Sequence, residues 1–140
     1  MILFINGSPN KDGNTARLAR ELIGDRPYEQ LNLAEHKVYG YGQNYGDDDF
    51  EDVLARIEAA DTLVVGSPVY WHNLSGMLRN LLDRFYGPVR EGSMSGKTLY
   101  FVFQGGAPTR EMLDWGEYTM KRFAALYGMT YGGMVDNTHE

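Results

Sequence analysis

The chain has 140 residues, 43% of them hydrophobic and 23% charged, which is the composition of one globular domain and excludes wholesale disorder. Thirteen Lys and Arg against nineteen Asp and Glu leave a net charge of −6, the wrong sign for a protein that grips duplex nucleic acid through its phosphates. The absence of cysteine excludes disulfides, thiolate metal sites, iron–sulfur clusters and cysteine nucleophiles. No apolar run approaches the roughly 18 residues of a membrane span, and MILFI at the start has no basic n-region, so a cytoplasmic domain is expected.

Ile2 to Ile5 is a continuous apolar run, as in a strand buried on both faces. Residues 6–15, NGSPNKDGNT, are turn and cap residues. Leu18, Ala19, Leu22 and Ile23 then recur at helical spacing, with Gly24 placed to end the helix. Tyr28 to Leu33 alternates polar and apolar, which suits an edge strand. Residues 34–47 show no period and interleave Gly40, Gly42 and Gly46 with Tyr39, Tyr41 and Tyr45. They predict a long loop, for which a lid or pocket wall is the natural role.

A second helix carries Phe50, Val53, Leu54 and Ile57 on one face. Thr62 to Val65 is another buried strand, and it runs into GSPVYWHN at 66–73. The third helix has an unbroken stripe of Leu74, Met77, Leu78, Leu81, Leu82 and Phe85. Leu99 to Phe103 is a strand and 104–109 a loop. A long helix runs from about Arg110 to Tyr127, and Met129 to Met134 is a weaker final strand.

This alternation, without repeat or linker, predicts a single α/β domain over 1–140 on a five-stranded parallel sheet. The second and fifth strands are the more polar or glycine-interrupted, so they become the edges and the order is 2-1-3-4-5. Right-handed crossovers put the first helix alone on one face and the other three on the opposite face. A fifth helix, which would share the first helix's face, would have to follow Val135, where only 136–140 remain. With that C-terminal helix absent, part of the face is expected to be covered by the 34–47 loop or by a second subunit, and a homodimer is expected.

Ligands of such sheets bind beyond the carboxyl ends of the strands, where loops 6–15, 66–73 and 104–109 should converge. The first loop opens a helix, whose unpaired N–H groups and dipole favour an anion. Ser8, Asn10, Asn14 and Thr15 add hydroxyl and amide donors, so a phosphate can be held with little formal positive charge. Asn14 or Thr15 would serve as an ordinary N-cap, but nine residues dense in Gly, Ser, Asn and Thr exceed what a cap requires. Neither a Walker A loop nor G-x-G-x-x-G is met, which leaves a cofactor bearing a monophosphate. In the second loop Pro68, Val69, Tyr70 and Trp71 make a wall for a planar aromatic ligand. In the third, the Gly105 and Gly106 N–H groups can approach ligand polar atoms closely, although such a pair taken alone reads more readily as a tight turn.

The stretches GSPNKDGNT at 7–15, SPVYWHNLSGMLRNLLDRFYG at 67–87 and FVFQGGA at 101–107 resemble the flavodoxin-like NAD(P)H-dependent oxidoreductases, the family of FMN reductases and quinone reductases. The resemblance implies a flavodoxin-like three-layer sandwich that binds FMN, with NADPH or NADH as co-substrate. It implies Ser8, Asn10, Asn14 and Thr15 at the phosphate. Pro68, Val69, Tyr70, Trp71, His72 and Asn73 would line the isoalloxazine, with Gln104, Gly105 and Gly106 on its polar side. The small-molecule electron acceptor would be a quinone, a nitro or azo compound, or free flavin. The chain departs from relatives that carry a cysteine cluster in the segment equivalent to 34–47, and an iron–sulfur activity is therefore excluded.

Loop 104–109 has no aromatic residue, which leaves one flavin face open for a nicotinamide and favours hydride transfer over the alternatives, a one-electron carrier or a non-catalytic flavin-binding regulatory protein. Backbone N–H groups around Gly105 and Gly106 would stabilise charge developing on the flavin. His36, His72 and His139 share no metal spacing, so no metal is expected; His72 alone lies in a candidate loop, with a hydrogen bond to flavin or substrate weighed against a structural role. Asp47, Asp48, Asp49, Glu51 and Asp52 look like a magnesium site but are expected to cap the second helix and interact with its dipole. Arg79 and Arg84 on the third helix are expected to be solvent-facing partners for nearby acids. Trp115 and Tyr118 fall off the core stripe and suit a subunit interface or a pocket wall.

Overall fold

The five apolar runs pair in parallel in the order β2-β1-β3-β4-β5, in a computed structural model that describes residues 1–138. The strands are β1 (Ile2–Asn6), β2 (Tyr28–Asn32), β3 (Thr62–Pro68), β4 (Thr98–Gln104) and β5 (Thr130–Asp136). The helices are α1 (Asn14–Ile23), α2 (Phe50–Ala59), α3 (Gly76–Asp83) and α4 (Arg110–Leu126). Fold, strand order and edges are those expected from the sequence.

The larger core lies on one face, where Phe50, Val53 and Ile57 of α2, Leu78 and Leu81 of α3, and Leu113, Met120 and Ala124 of α4 meet Leu3, Ile5, Leu63, Val65, Phe101 and Phe103 of the sheet. Phe101 and Phe103 stack with centroids 5.0 Å apart, and each ring contributes roughly 1.5–3 kcal/mol of burial. On the opposite face α1 alone buries Ala16, Leu18, Ala19 and Ile23 against Phe4, Val64 and Val102. That division follows from the handedness of the crossovers.

Two expectations are corrected. The strand beginning at Thr62 continues to Pro68, because Gly66, Ser67 and Pro68 pair with Val102, Phe103 and Gln104. Pro68 is therefore a buried strand residue. The segment 34–47 does not cover the α1 face. After a short 3-10 turn at Leu33–Glu35 it packs on the other side, where Asn80 of α3 and Arg84 at that helix's C-cap donate to its carbonyls. On the α1 face the helix itself sits over β3 and β4, flanked by half-buried Ile2, Tyr28, Tyr100 and Val135. No helix follows β5 among the described residues, and none of those present is long and apolar enough to cross a membrane.

Candidate functional site

β1, β3 and β4 end side by side, and their loops are tied together at the sheet's carboxyl edge. The Gly7 N–H donates to the Gly66 carbonyl at 2.8 Å, and the Val69 N–H to the Gln104 carbonyl at 2.7 Å. The glycines permit the close approach: a Cβ on Gly66 would lie 2.6 Å from Thr15 Cγ2. A Cβ on Gly105 would press on Val69 Cβ at 3.1 Å.

Fully buried Asn6 shapes the first loop. Its Oδ1 accepts the Ser8 N–H at 3.1 Å, while its Nδ2 donates to the Asn10 carbonyl at 3.1 Å and to Asn32 Oδ1 at 3.0 Å. Ser8 Oγ accepts the Asn10 N–H at 3.1 Å, which leaves its own O–H to donate elsewhere. Gly13 occupies the N-cap of α1 with no side-chain cap bond, so neither Asn14 nor Thr15 caps the helix. The Arg17 N–H donates to the Gly13 carbonyl at 3.0 Å, and the N–H groups of Asn14, Thr15 and Ala16 before it are left for an outside acceptor. In contrast, Ser75 and Thr109 cap α3 and α4. Main-chain N–H groups, the Asn14 amide and the Ser8 hydroxyl together form a donor set suited to a phosphate.

Thr15 is 1% exposed, and its Oγ1 accepts from Gln104 Nε2 at 3.0 Å. One N–H of the Gln104 amide thus braces Thr15. In the second loop Tyr70 and Asn73 exchange two backbone hydrogen bonds, 2.9 and 3.0 Å, around Trp71 and His72. Those two residues have φ of +47° and +66°, left-handed backbone that costs non-glycine residues roughly 1–2 kcal/mol each. The turn holds Trp71 93% exposed. Asn73 Oδ1 accepts from the Leu74 N–H at 2.9 Å and from Arg79 Nη2 at 3.2 Å, anchoring the loop to α3.

A cleft of about 290 Å³ opens between the second and third loops, lined by Val69, Trp71, His72, Gly105 and Gly106 together with Ala107, Pro108 and Met112. Five expected residues therefore share one wall, with Ser8, Asn10, Asn14 and Thr15 in the neighbouring cradle. Pro68, Tyr70, Asn73 and Gln104 do not line the cleft and support those that do. Ala107 and Pro108 lay inside the 104–109 loop, where only the glycines stood out. Met112 is found by continuing one turn past the Thr109 cap. His72 stands exposed on the rim, and His139 lies outside the described residues. No group of His, Asp and Glu among the described residues could hold a metal ion.

The acidic run opens α2 as expected and also does further work beside it. Arg84 partners an acid as expected but does not face solvent: it forms a bidentate pair with Asp48, 2.8 Å on both arms, with the side chains only 19% and 17% exposed. These hydrogen bonds hold the Asp48 carboxyl below the usual carboxylate range and raise Arg84. Asp47 accepts from the Tyr39 hydroxyl and from Lys37 Nζ, which lower its carboxyl. Asp49 Oδ2 accepts the Lys37 N–H at 2.7 Å. Asp49 stands at the N-cap of α2 without a side-chain cap bond, Glu51 and Asp52 lie in its first turn where the dipole favours them, and Asp48 Oδ2 accepts from the Phe50 N–H at 3.4 Å. The segment 36–49 is thus a strap clamped to α3, and it lines no part of the cleft.

The doubly wound sheet, the uncapped helix end and the cleft beside it define a flavodoxin-like nucleotide-binding domain. Residues 1–136 match the NADPH-dependent FMN reductase family, and the chain belongs to it; FMN and NAD(P)H are the cofactor and co-substrate of that family. Bacillus subtilis YwqN, named as an NAD(P)H-dependent FMN-containing oxidoreductase, is 27% identical over 120 residues, covering 75% of this chain and 66% of that protein. An iron–sulfur flavoprotein of Archaeoglobus fulgidus is 33% identical over 96 residues, 59% of this chain and 47% of the other. The chain thus spans from about half to two-thirds of the length of these relatives. Among solved structures, the Trp repressor binding protein from Bacillus subtilis superposes with a TM-score of 0.78 at 25% identity, over 97% of this chain and 85% of that one.

Proposed function

We propose that this protein is a cytoplasmic NAD(P)H-dependent FMN reductase that delivers two electrons to a small planar acceptor: a quinone, a nitro or azo compound, or free flavin. The observation that carries this reading is the cleft beside the phosphate cradle. Its third-loop wall is Gly105, Gly106, Ala107 and Pro108, with no aromatic ring to cover the second face of a planar ligand. A one-electron carrier that sandwiches its flavin between aromatic residues of two loops is disfavoured by the same wall.

The residues present fit FMN. Ser8, Asn10, Asn14 and Thr15, with the first N–H groups of α1, would hold its phosphate. Val69, Trp71, His72, Gly105 and Gly106 would hold its ring, with Pro68, Tyr70, Asn73 and Gln104 fixing those groups. Bound FMN supplies the hydride acceptance and onward electron transfer. The protein's part is position and electrostatics: apolar Val69, Pro108 and Met112 exclude water, and the α1 dipole favours the phosphate charge. The Gly105 N–H is already bonded within the protein, so the Gly106 N–H is the third-loop glycine donor left to face developing charge. No paired carboxylate or His–Asp couple lines the cleft, and none is needed for hydride transfer.

The test is steady-state kinetics with NADPH and a quinone varied together. Parallel double-reciprocal lines are expected for an enzyme that releases oxidised nicotinamide before the acceptor binds. A fully FMN-loaded protein that oxidises NADPH poorly would point instead to a carrier or a regulatory flavin-binding protein.

The homodimer forms part of the same proposal. Tyr86, Tyr118 and Leu126 are exposed around a groove between α3 and α4 that also holds Arg79 and Arg122, and Trp115 is exposed on α4. Tyr, Trp and Arg are the residues that dominate interface energetics. Light scattering should give twice the chain mass, and Tyr118→Ala should lower it.

A further inference from the structure

β5 ends at Asp136, paired with Phe103 near the end of β4, and the residue that follows reaches the third loop. Asn137 Oδ1 accepts the Gly105 N–H at 3.2 Å, and Asn137 Nδ2 donates to the Gly105 carbonyl at 2.7 Å. One primary amide thus engages both main-chain groups of a single residue, as a strand partner would. Asn137 is itself held in a tight turn, in which the Thr138 N–H donates to Asp136 Oδ1 at 2.9 Å. Asp136 Oδ2 in turn lies 3.7 Å from Arg110 Nη1.

The clamp falls where the loop has little else to hold it. Gly105 has no side chain to pack, and among the described residues no other hydrogen bond reaches 105–108. Gly106 is exposed in the cleft wall, and its N–H has no partner among those residues. Two adjacent glycines carry the largest backbone freedom of any residue pair, and ordering them opposes ligand binding.

We propose that Asn137 is a positioning residue of the flavin site: by clamping the Gly105 peptide it fixes the direction of the Gly106 N–H donor before the ligand arrives. The inference rests on the reading of the cleft as an FMN site. Asn137 touches no ligand in this role and acts through the loop.

The experiment compares wild type, Asn137→Ala and Asn137→Asp as full chains, with two readouts. The first is amide hydrogen exchange at Gly105 in the ligand-free protein, followed by NMR. The second is FMN affinity from quenching of flavin fluorescence. In Asn137→Ala the Gly105 amide should exchange at least about tenfold faster while Phe101 in β4 keeps its protection, and FMN should bind on the order of tenfold more weakly. Asp has nearly the shape of Asn but cannot donate to the Gly105 carbonyl, so Asn137→Asp should not restore affinity; a space-filling role would be met by either residue. Unchanged Gly105 exchange in Asn137→Ala, or unchanged FMN affinity in either variant, overturns the proposal. Wild-type protein that binds no FMN overturns the flavin reading and the proposed role with it. Slow Gly105 exchange in that protein would show the clamp itself to be intact, which separates the two failures.

Discussion

The 6–15 loop and the 36–49 strap are both crowded with polar side chains, and they commit them in opposite ways. In the strap, Asp47, Asp48 and Asp49 each accept from named donors on Lys37, Tyr39 or Arg84, so its charges close on one another. In the 6–15 loop the internal bonds run through Asn6 and the Ser8 oxygen, and the start of α1 stays uncapped. Polar density therefore does not mark a site; donors left without internal partners do. The acidic strap has the composition of a metal site and is a structural clamp. The first loop, where Lys11 and Asp12 cancel, carries no net charge and is the proposed anion cradle.

The largest effect expected from breaking this contrast is on ligand binding at the cradle. Asn14→Ala with Thr15→Ala should weaken FMN binding at least about a hundredfold, since each hydrogen bond to a charged group is worth roughly 1.5–3 kcal/mol. Flavin fluorescence titration measures it, and unchanged affinity would contradict the phosphate assignment. Thr15→Ala also deprives buried Gln104 of its acceptor, so Asn14→Ala alone serves as the variant that leaves the fold undisturbed.

In the strap the effect should fall on stability instead. Asp48→Ala leaves the mostly buried Arg84 without its carboxylate and should cost about 2–3 kcal/mol in urea unfolding, with FMN affinity unchanged. Loss of FMN binding in this variant would join the two regions that the structure separates.

A pH series sharpens the same comparison. Asp48 has a depressed carboxyl in the folded state and about 3.9 when unfolded, so its contribution is full above the unfolded value and is lost as pH falls through the folded one. The stability difference between wild type and Asp48→Asn should hold constant from about pH 7 to 5 and close below about pH 4. A gap that closes near neutrality would assign the effect to another group.

The smallest change is expected at the strained turn. Replacing Trp71 and His72 with Asn and Gly, which favour left-handed backbone, should raise stability by about 1 kcal/mol. The same change removes the exposed indole and imidazole from the cleft rim. Thermal melting and the KM for NADPH should therefore move in opposite senses, stability improving while KM worsens.

Periodicity carried most of the fold, because a one-sided helix and a two-sided strand leave different hydrophobic spacings. The stripes on α2, α3 and α4 and the short run on α1 specify which face each covers once crossover handedness is added. The cradle was legible for a similar reason, as a run of small polar residues between a buried strand and a helix. Gly66-Ser67-Pro68 reads locally as a turn, yet pairing with β4 makes it strand. The Gln104–Thr15 and Asn137–Gly105 bonds join residues 89 and 32 positions apart and leave no local pattern. The strap is fastened beside α3 by the Asp48–Arg84 pair among others, and a charge in the sequence does not announce its partner.

The most direct measurement is a visible absorption spectrum of the protein purified without added cofactor, repeated after FMN addition and again after anaerobic NADPH. If the three loops form a flavin site, flavin bands accompany the protein or appear after FMN addition and stay with it through desalting, and NADPH bleaches them within seconds. A colourless protein that takes up no FMN would contradict the assignment of all three loops.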